Sequence, residues 1–432
     1  NLLMAFCAMA EASSAQSVLW EARTDRVGSP TSYLGGEGAL AIDGSGRVFT
    51  TGRVNAGSSF DGQTLAWDSD GNLLWDRRRN EVGDLHSAFS ALSLTPSGSL
   101  VVAGQVHEGA STGYNALVVA YDEYGTQLWS RMRDFGGTSG YNSDSAGAVA
   151  VDALGNSYVT GAYSTYGTVW CPPLPPYNCF NGQVSGTFLV SYDAAGNERW
   201  ARTPAGAFAG GPYLSSLAVD ASGNSYSVGS YPFSTGSWNW QRDFWVRAYD
   251  STGTGLWASY KAGTQTNGSD SARAVALGPT GIVAAAGYLQ NSGTGTDFAV
   301  VAYSSGGAEL WSRTKSGVGA NSDTANAVAA DSAGNFYVAG NLHNGINQDF
   351  LTVAYDSAGN ELWSRVVDGP ANGNVSAVSL KVNSSGDIIV AGYSFNGVGE
   401  DLLVVAYSSS GLELWSHRQP QGAGGSAYAV AV

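Results

Sequence analysis

Short apolar runs, bounded by clusters of Asp, Ser, Gly and Asn, recur along the whole chain. Between Asn326 and Arg365, "NAVAADSAGN" reads as a strand and a turn, and "FYVAG" as a second strand. "DFLTVAYDSAGN" then gives a third strand and turn, and "ELWSR" a fourth strand. The runs are rich in β-branched and aromatic residues, which suit a pleated surface, and the Gly-polar pairs between them supply the positive φ of hairpin turns. "FLTVAY" is apolar almost throughout rather than alternating, so the sheet it belongs to is expected to be covered on both faces. No stretch of helix length carries a 3.6-residue period.

The unit repeats. Tryptophans that follow the tight turn stand at Trp20, Trp75, Trp129, Trp200, Trp257, Trp311, Trp363 and Trp415, with gaps of 55, 54, 71, 57, 54, 52 and 52 residues. Four strands per unit at this period describe a β-propeller blade, and the long gap is a unit with an insertion. Seven complete units run from about Ala39 to Arg418. Outside them, "SVLWEAR" (Ser17–Arg23) reads as an orphan fourth strand and "SAYAVAV" (Ser426–Val432) as an orphan first strand. The expected fold is therefore an all-β propeller of four-stranded antiparallel blades, with seven complete repeats and a partial eighth formed from the two chain ends. A closed seven-bladed ring with frayed ends is the rival. Trp75, Trp129, Trp200, Trp257, Trp311, Trp363 and Trp415 are expected to fill the wedge between blades. Asp243, Asp297, Asp349 and Asp401, at the head of the third strand, are expected to accept backbone hydrogen bonds from the preceding loop.

"GTFLVSYDAAGN" (Gly186–Asn197), "GAVAVDALGNSYVTG" (Gly147–Gly161) and "LAVDASGNSYSVG" (Leu217–Gly229) resemble the bacterial SBBP-type β-propeller repeat. That family pairs a "DAFVAKLDxxGN"-like segment with an "AxAVDxxGNxYVTG"-like one, and the resemblance extends over almost the whole chain from Ser17 onward. Ala-Tyr replaces the family's usual Lys-Leu, and the tryptophan is added. The resemblance implies an exported or surface-exposed propeller without a general catalytic activity. "AYDSAGNELW" (Ala354–Trp363) is also similar to the tryptophan-docking segment of quinoprotein dehydrogenases, "AxDxxTGKxxW", but is one residue shorter and lacks its Thr and Lys. The docking tryptophan is scaffold in those enzymes, and the adjacent-cysteine disulfide of many of them has no counterpart here.

Composition narrows the classes. Of 432 residues, 59 are Gly and only 13% are charged, too apolar and aromatic for disorder and too rich in turn residues for a helical bundle. A net charge of −15 argues against a nucleic-acid partner and against an anionic membrane surface. At the amino end, the apolar run "LLMAFCAMA" (Leu2–Ala10) is too short to span a bilayer and is followed by small residues at Ser13 and Ala15. Residues 1–15 read as the C-terminal part of a secretory signal peptide, cleaved after Ala15 or Ala12, with 17–432 forming a single propeller domain of a chain truncated at both ends. The expected setting is secreted or cell-surface, extracellular or periplasmic, with no membrane insertion and a monomeric state. In such a setting Cys171 and Cys179 of "CPPLPPYNC" are expected to form one disulfide closing a Pro-rich loop; two free thiols are the alternative.

Loops between strands two and three, and between strand four and the next unit, carry nearly all the length variation and share one face, which makes that face the expected working surface. Units three and four carry Tyr163, Tyr166, Trp170, Tyr177 and Phe180, and Tyr231, Phe233, Trp238 and Trp240. These aromatics are candidates for a protein or glycan ligand, or else they pack on one another and anchor two long loops. The four histidines are dispersed, "DSDGN" (Asp68–Asn72) occupies an ordinary hairpin turn, and neither a metal site nor a cofactor motif is expected. The expected role is a non-enzymatic binding or display module. The competing role is a carbohydrate-active hydrolase or lyase with two carboxylates near the axis.

Overall fold

In the computed structural model, the described residues are 39–55, 59–79, 86–107, 113–135, 143–169, 180–208, 212–234, 240–370 and 373–419, with short strands at Met4–Phe6, Glu21–Arg23 and Ser32–Leu34. Seven four-stranded antiparallel blades are present among them. Blade 1 holds Leu40–Ile42, Val48–Asn55, Phe60–Trp67 and Leu73–Arg79, and blade 2 holds Ser87–Leu94, Leu100–His107, Tyr114–Tyr121 and Gln127–Arg133. Blades 3 to 7 open with the strands Ser143–Val151, Tyr213–Val219, Ser271–Leu277, Thr324–Ala330 and Val375–Val382 and close with Glu198–Phe208, Gly255–Lys261, Glu309–Lys315, Glu361–Val367 and Glu413–Gln419. First strands of successive blades touch each other from blade 2 through blade 7, so they line the axis and the fourth strands form the periphery. Glu21–Arg23, within the segment read as an orphan fourth strand, pairs with Met4–Phe6, and Ser426–Val432 lies outside the described residues.

The turns that join first to second and third to fourth strands share one backbone pattern. In blade 6, Asp356 N–H donates to the Asn360 carbonyl and Gly359 N–H to the Asp356 carbonyl, while Gly359 takes a φ of 79°. The Asp356 carboxylate accepts the N–H groups of Ala358 and Asn360, an Asx turn that spares the backbone any unpaired donor. The third strands are buried along both faces, as their continuous apolar runs predict.

The repeated tryptophan docks on the turn of the next blade. Trp311 Nε1 donates to the Ser357 carbonyl at 3.0 Å, and two residues on, Arg313 Nε donates to the Gly359 carbonyl at 2.7 Å. The same pair of bonds joins Trp75 and Arg77 to Glu123 and Gly125, and Trp363 and Arg365 to Ser409 and Gly411. Trp129 with Arg131 and Trp200 with Arg202 repeat it on blades 3 and 4. The indole lies under the turn glycine, so closely that a Cβ on Gly359 would stand 2.6 Å from the Trp311 ring. It also meets the tyrosine that ends the next blade's third strand, Trp311 with Tyr355 at 5.8 Å and Trp363 with Tyr407 at 5.7 Å. In blade 4, Ser259 stands where the arginine would be, and Trp257 keeps only the bond to the Ser305 carbonyl. Trp415 is partly buried, and its indole N–H has no partner among the described residues.

Trp311→Ala is expected to cost about 3–5 kcal/mol, and Gly359→Ala about 2–4 kcal/mol because a side chain at positive φ would also strike the indole. The double variant should cost about 1–2 kcal/mol less than the two effects together, since removing the ring removes the clash. Urea unfolding of the four proteins measures this; strict additivity would show that ring and turn do not meet.

Candidate functional site

A β-bulge interrupts the first strand of blades 2 to 7 at one fixed position, occupied by Ser90, Gly147, Ser215, Arg273, Asn326 and Val378. Opposite each bulge stands a glycine of the second strand, and the bulge demands it. A Cβ on Gly340 would lie 1.9 Å from the Thr324 carbonyl oxygen.

Around the axis, residues from blades 3 to 7 enclose a cavity of about 1110 Å³. The bulge residues Ser215, Arg273, Asn326 and Val378 line it. So do the residues that follow the second-strand glycines in blades 3 to 7: Ala162, Ser230, Tyr288, Asn341 and Tyr393. Arg242 and Gln348, at the starts of third strands, and Ser322, just before a first strand, complete the wall beside the loops of the variable face.

The wall is a belt of hydrogen bonds running from blade to blade. Ser215 Oγ donates to the Ala272 carbonyl, and Arg273 Nη1 to Asn326 Oδ1 at 2.8 Å. Asn326 Nδ2 donates to the Ala377 carbonyl and to Asn341 Oδ1. The Arg273 guanidinium also lies 5.4 Å from the centre of the Tyr288 ring, and Arg242 Nη1 donates to Ser230 Oγ. No Asp or Glu is among the residues lining the cavity, so the acid and base pair that glycoside hydrolysis needs is not supplied by its described wall.

Carboxylates lie instead at the blade junctions. Asp270 accepts the N–H groups of Gly263 and Gln290, and Asp323 those of Gly317 and His343, tying the inter-blade loop to the end of the second strand. These aspartates begin the first strands. The third-strand aspartates act differently from the expectation. Asp297 accepts from Asn291 Nδ2 and Thr294 Oγ1, Asp349 from Asn344 Nδ2, and Asp401 from Asn396 Nδ2, rather than from backbone amides. The loop asparagine has already taken the backbone: Asn344 Oδ1 accepts the N–H groups of Ile346 and Asn347, and Asn396 Oδ1 those of Val398 and Gly399. Asp243 has no such adaptor among its described contacts; burial, and then the charge of Asp270, push its carboxyl up to about 6. Asp270 is raised by burial against the pull of its two backbone donors.

Of the aromatic candidates, Tyr163 is only 8% exposed and lies against Phe135, its hydroxyl end filling the space left by Gly186. Tyr231 is half-buried on Trp245 and Tyr260. Strand alternation accounts for both: Ala162 and Ser230 face the cavity, so the next residue faces away. Tyr166, Phe180, Phe233 and Trp240 lie on strands, and Trp170, Tyr177, Trp238, Cys171 and Cys179 lie outside the described residues. The insertion of blade 3 lengthens its middle hairpin, Ser157–Val169 with Phe180–Tyr192, whose last pair is Val169 with Phe180. Blade 4 has a lesser extension, Ser225–Ser234 with Trp240–Tyr249. Asp68, in the "DSDGN" turn, accepts the N–H groups of Asp70 and Asn72, and no group of metal ligands is found among the described residues. Among the described residues, no helix is long and apolar enough to cross a membrane.

The bulge residues escaped sequence reasoning, although a partial signal is present: a variable position followed by Ala or Ser, near the start of each first strand. Residues 242–432 match the family described as outer membrane protein assembly factor BamB. No curated protein is detectably similar in sequence. Among solved structures, Sqt1 from Chaetomium thermophilum is 13% identical, with a TM-score of 0.46 over 88% of this chain and 86% of its own. Dipeptidyl peptidase 4 from Porphyromonas gingivalis is 12% identical, with a TM-score of 0.46 over 87% of this chain and 52% of its own. A puromycin hydrolase is 11% identical, with a TM-score of 0.47 over 90% of this chain and 54% of its own. The propeller assignment rests on the strand pairing itself.

Because the folded state holds the Asp243 proton more tightly than the unfolded chain, where a carboxyl titrates near 3.9, stability is lost as pH rises from about 4 through about 6. Asp243→Asn should therefore stabilise the protein at pH 8, by up to ~2–3 kcal/mol, and give no advantage at pH 3.5. Urea melts at the two pH values check this; an equal effect at both would remove the buried-charge account.

Proposed function

We propose that this propeller is an exported binding module that takes a protein or glycan ligand on the face carrying its variable loops. The carrying observation is the axial cavity: its wall is made of positions that vary from blade to blade on a frame that does not. The lengthened hairpin of blade 3 rises from that wall at Ala162 and Ser185, so Tyr166, Trp170, Tyr177, Phe180, Phe233, Trp238 and Trp240 are proposed to extend the contact above the cavity. Tyr163 and Tyr231 would support those hairpins from beneath. The likeness of residues 242–432 to a family described by outer-membrane assembly is compatible with an envelope setting. Within this reading, the repeats are of the SBBP type, and a Cys171–Cys179 disulfide closes the tip of the blade 3 hairpin just beyond its last pair, Val169 with Phe180.

A glycan array together with pull-down from envelope extracts tests the function, using the wild-type chain and the triple variant Trp170→Ala, Trp238→Ala, Trp240→Ala. A ligand held by the wild type and lost, by at least ~10-fold, in the variant is expected. Undiminished binding would remove the loop aromatics from the site. For the disulfide, the exported protein should resist alkylation at both cysteines until reductant is added; immediate labelling would show free thiols.

A further inference from the structure

The axial cavity differs from the rest of the molecule in its charge. The chain carries 35 acidic and 20 basic residues, yet the cavity wall holds two arginines and no carboxylate. Arg273 is exposed and enters no ion pair with a described residue; its contacts are an amide oxygen and a tyrosine face. Those two contacts hold the guanidinium in place while leaving N–H groups for a ligand, and a planar fork of donors suits a carboxylate. Arg242 stands on the neighbouring blade, one repeat away along the same wall.

Resting on the binding-face reading above, we propose that the cavity binds a carboxylate-bearing oligosaccharide of the uronate class, with Arg273 receiving a sugar carboxylate. The remaining chemistry of the wall fits sugars. Tyr288 and Tyr393 line the wall as aromatic residues beside Arg273, and Asn341, Gln348 and Ser271 add polar side chains to it. The volume of about 1110 Å³ lies just above the usual range of ligand pockets, about 300–1,000 Å³, room for more than one sugar. A densely charged polyanion would be repelled by the net charge of −15, whereas a carboxylate on one sugar meets the local cation alone. A peptide would need apolar recesses for its side chains, and the wall has few aliphatic groups.

Calorimetric titration of the full chain with short galactose oligosaccharides carrying a single galacturonate, with neutral galactose oligosaccharides of the same length and with an acidic peptide tests the proposal. The uronate should bind, the neutral sugar at least ~10-fold more weakly, and Arg273→Gln should weaken the uronate by roughly 10- to 100-fold while lowering the melting temperature by only about a few degrees. Added salt should weaken the uronate and leave the neutral sugar unaffected. Equal binding of neutral and acidic sugars, tighter binding of the peptide, or uronate binding indifferent to Arg273→Gln each overturns the uronate assignment while leaving the binding face standing. Absence of any ligand, here and in the array and pull-down, overturns both.

Discussion

One contact holds the molecule together: an indole laid under the hairpin turn of the next blade. A single blade has apolar residues on both faces of its third strand and cannot bury them alone. The wedge between two blades widens outward, and Trp311 fills it at the periphery while its N–H satisfies the Ser357 carbonyl. Arg313 binds the Gly359 carbonyl two residues further on, so the turn is gripped at two points. Tyr355 lies against the same ring. The repeated tryptophan and the tyrosine of Ala-Tyr-Asp are thus the two halves of one contact across a blade junction. Blade 4, with Ser259 in place of the arginine, keeps both the tryptophan and the tyrosine contact and lacks only the second grip on the turn.

Constancy at the rim permits variation at the axis. The bulge is fixed by backbone geometry and by the glycine opposite, neither of which depends on the bulged side chain. Replacing Ser by Arg or Asn there changes the lining and not the sheet. The same device at six successive blades produces a ring of independently variable positions on a stiff frame. The belt from Arg273 through Asn326 to Ala377 shows neighbouring positions hydrogen-bonded to one another.

Period, strand count and the tryptophan's role were legible because each follows from local pattern: a turn residue at a fixed offset, a run apolar on both faces, a flat ring too large for a single sheet. The site was less legible, for a physical reason. A strand's facing inverts with every residue, and one bulge shifts that parity. Tyr163 and Tyr231 stand one residue from cavity-lining Ala162 and Ser230, and that step turns them into the blade. Asp349 shows a second limit. An aspartate before a strand suggests backbone capping, but Asn344 already occupies the amides, and composition alone does not tell which of two neighbouring acceptors takes them.

The buried aspartates give the cavity its rigidity at a thermodynamic cost. Burial raises Asp270 and Asp323, so each would be more stable exposed, yet each is held by two backbone amides. Those amides belong to the loops entering blades 5 and 6 and to the ends of the second strands, the segments that flank Ser271, Tyr288, Ser322 and Asn341 in the wall. Each carboxylate thereby fixes an inter-blade loop against the second strand beside the wall. The amide-held carboxylates at the junctions and the hydrogen-bonded wall beside the arginines are therefore two parts of the same arrangement.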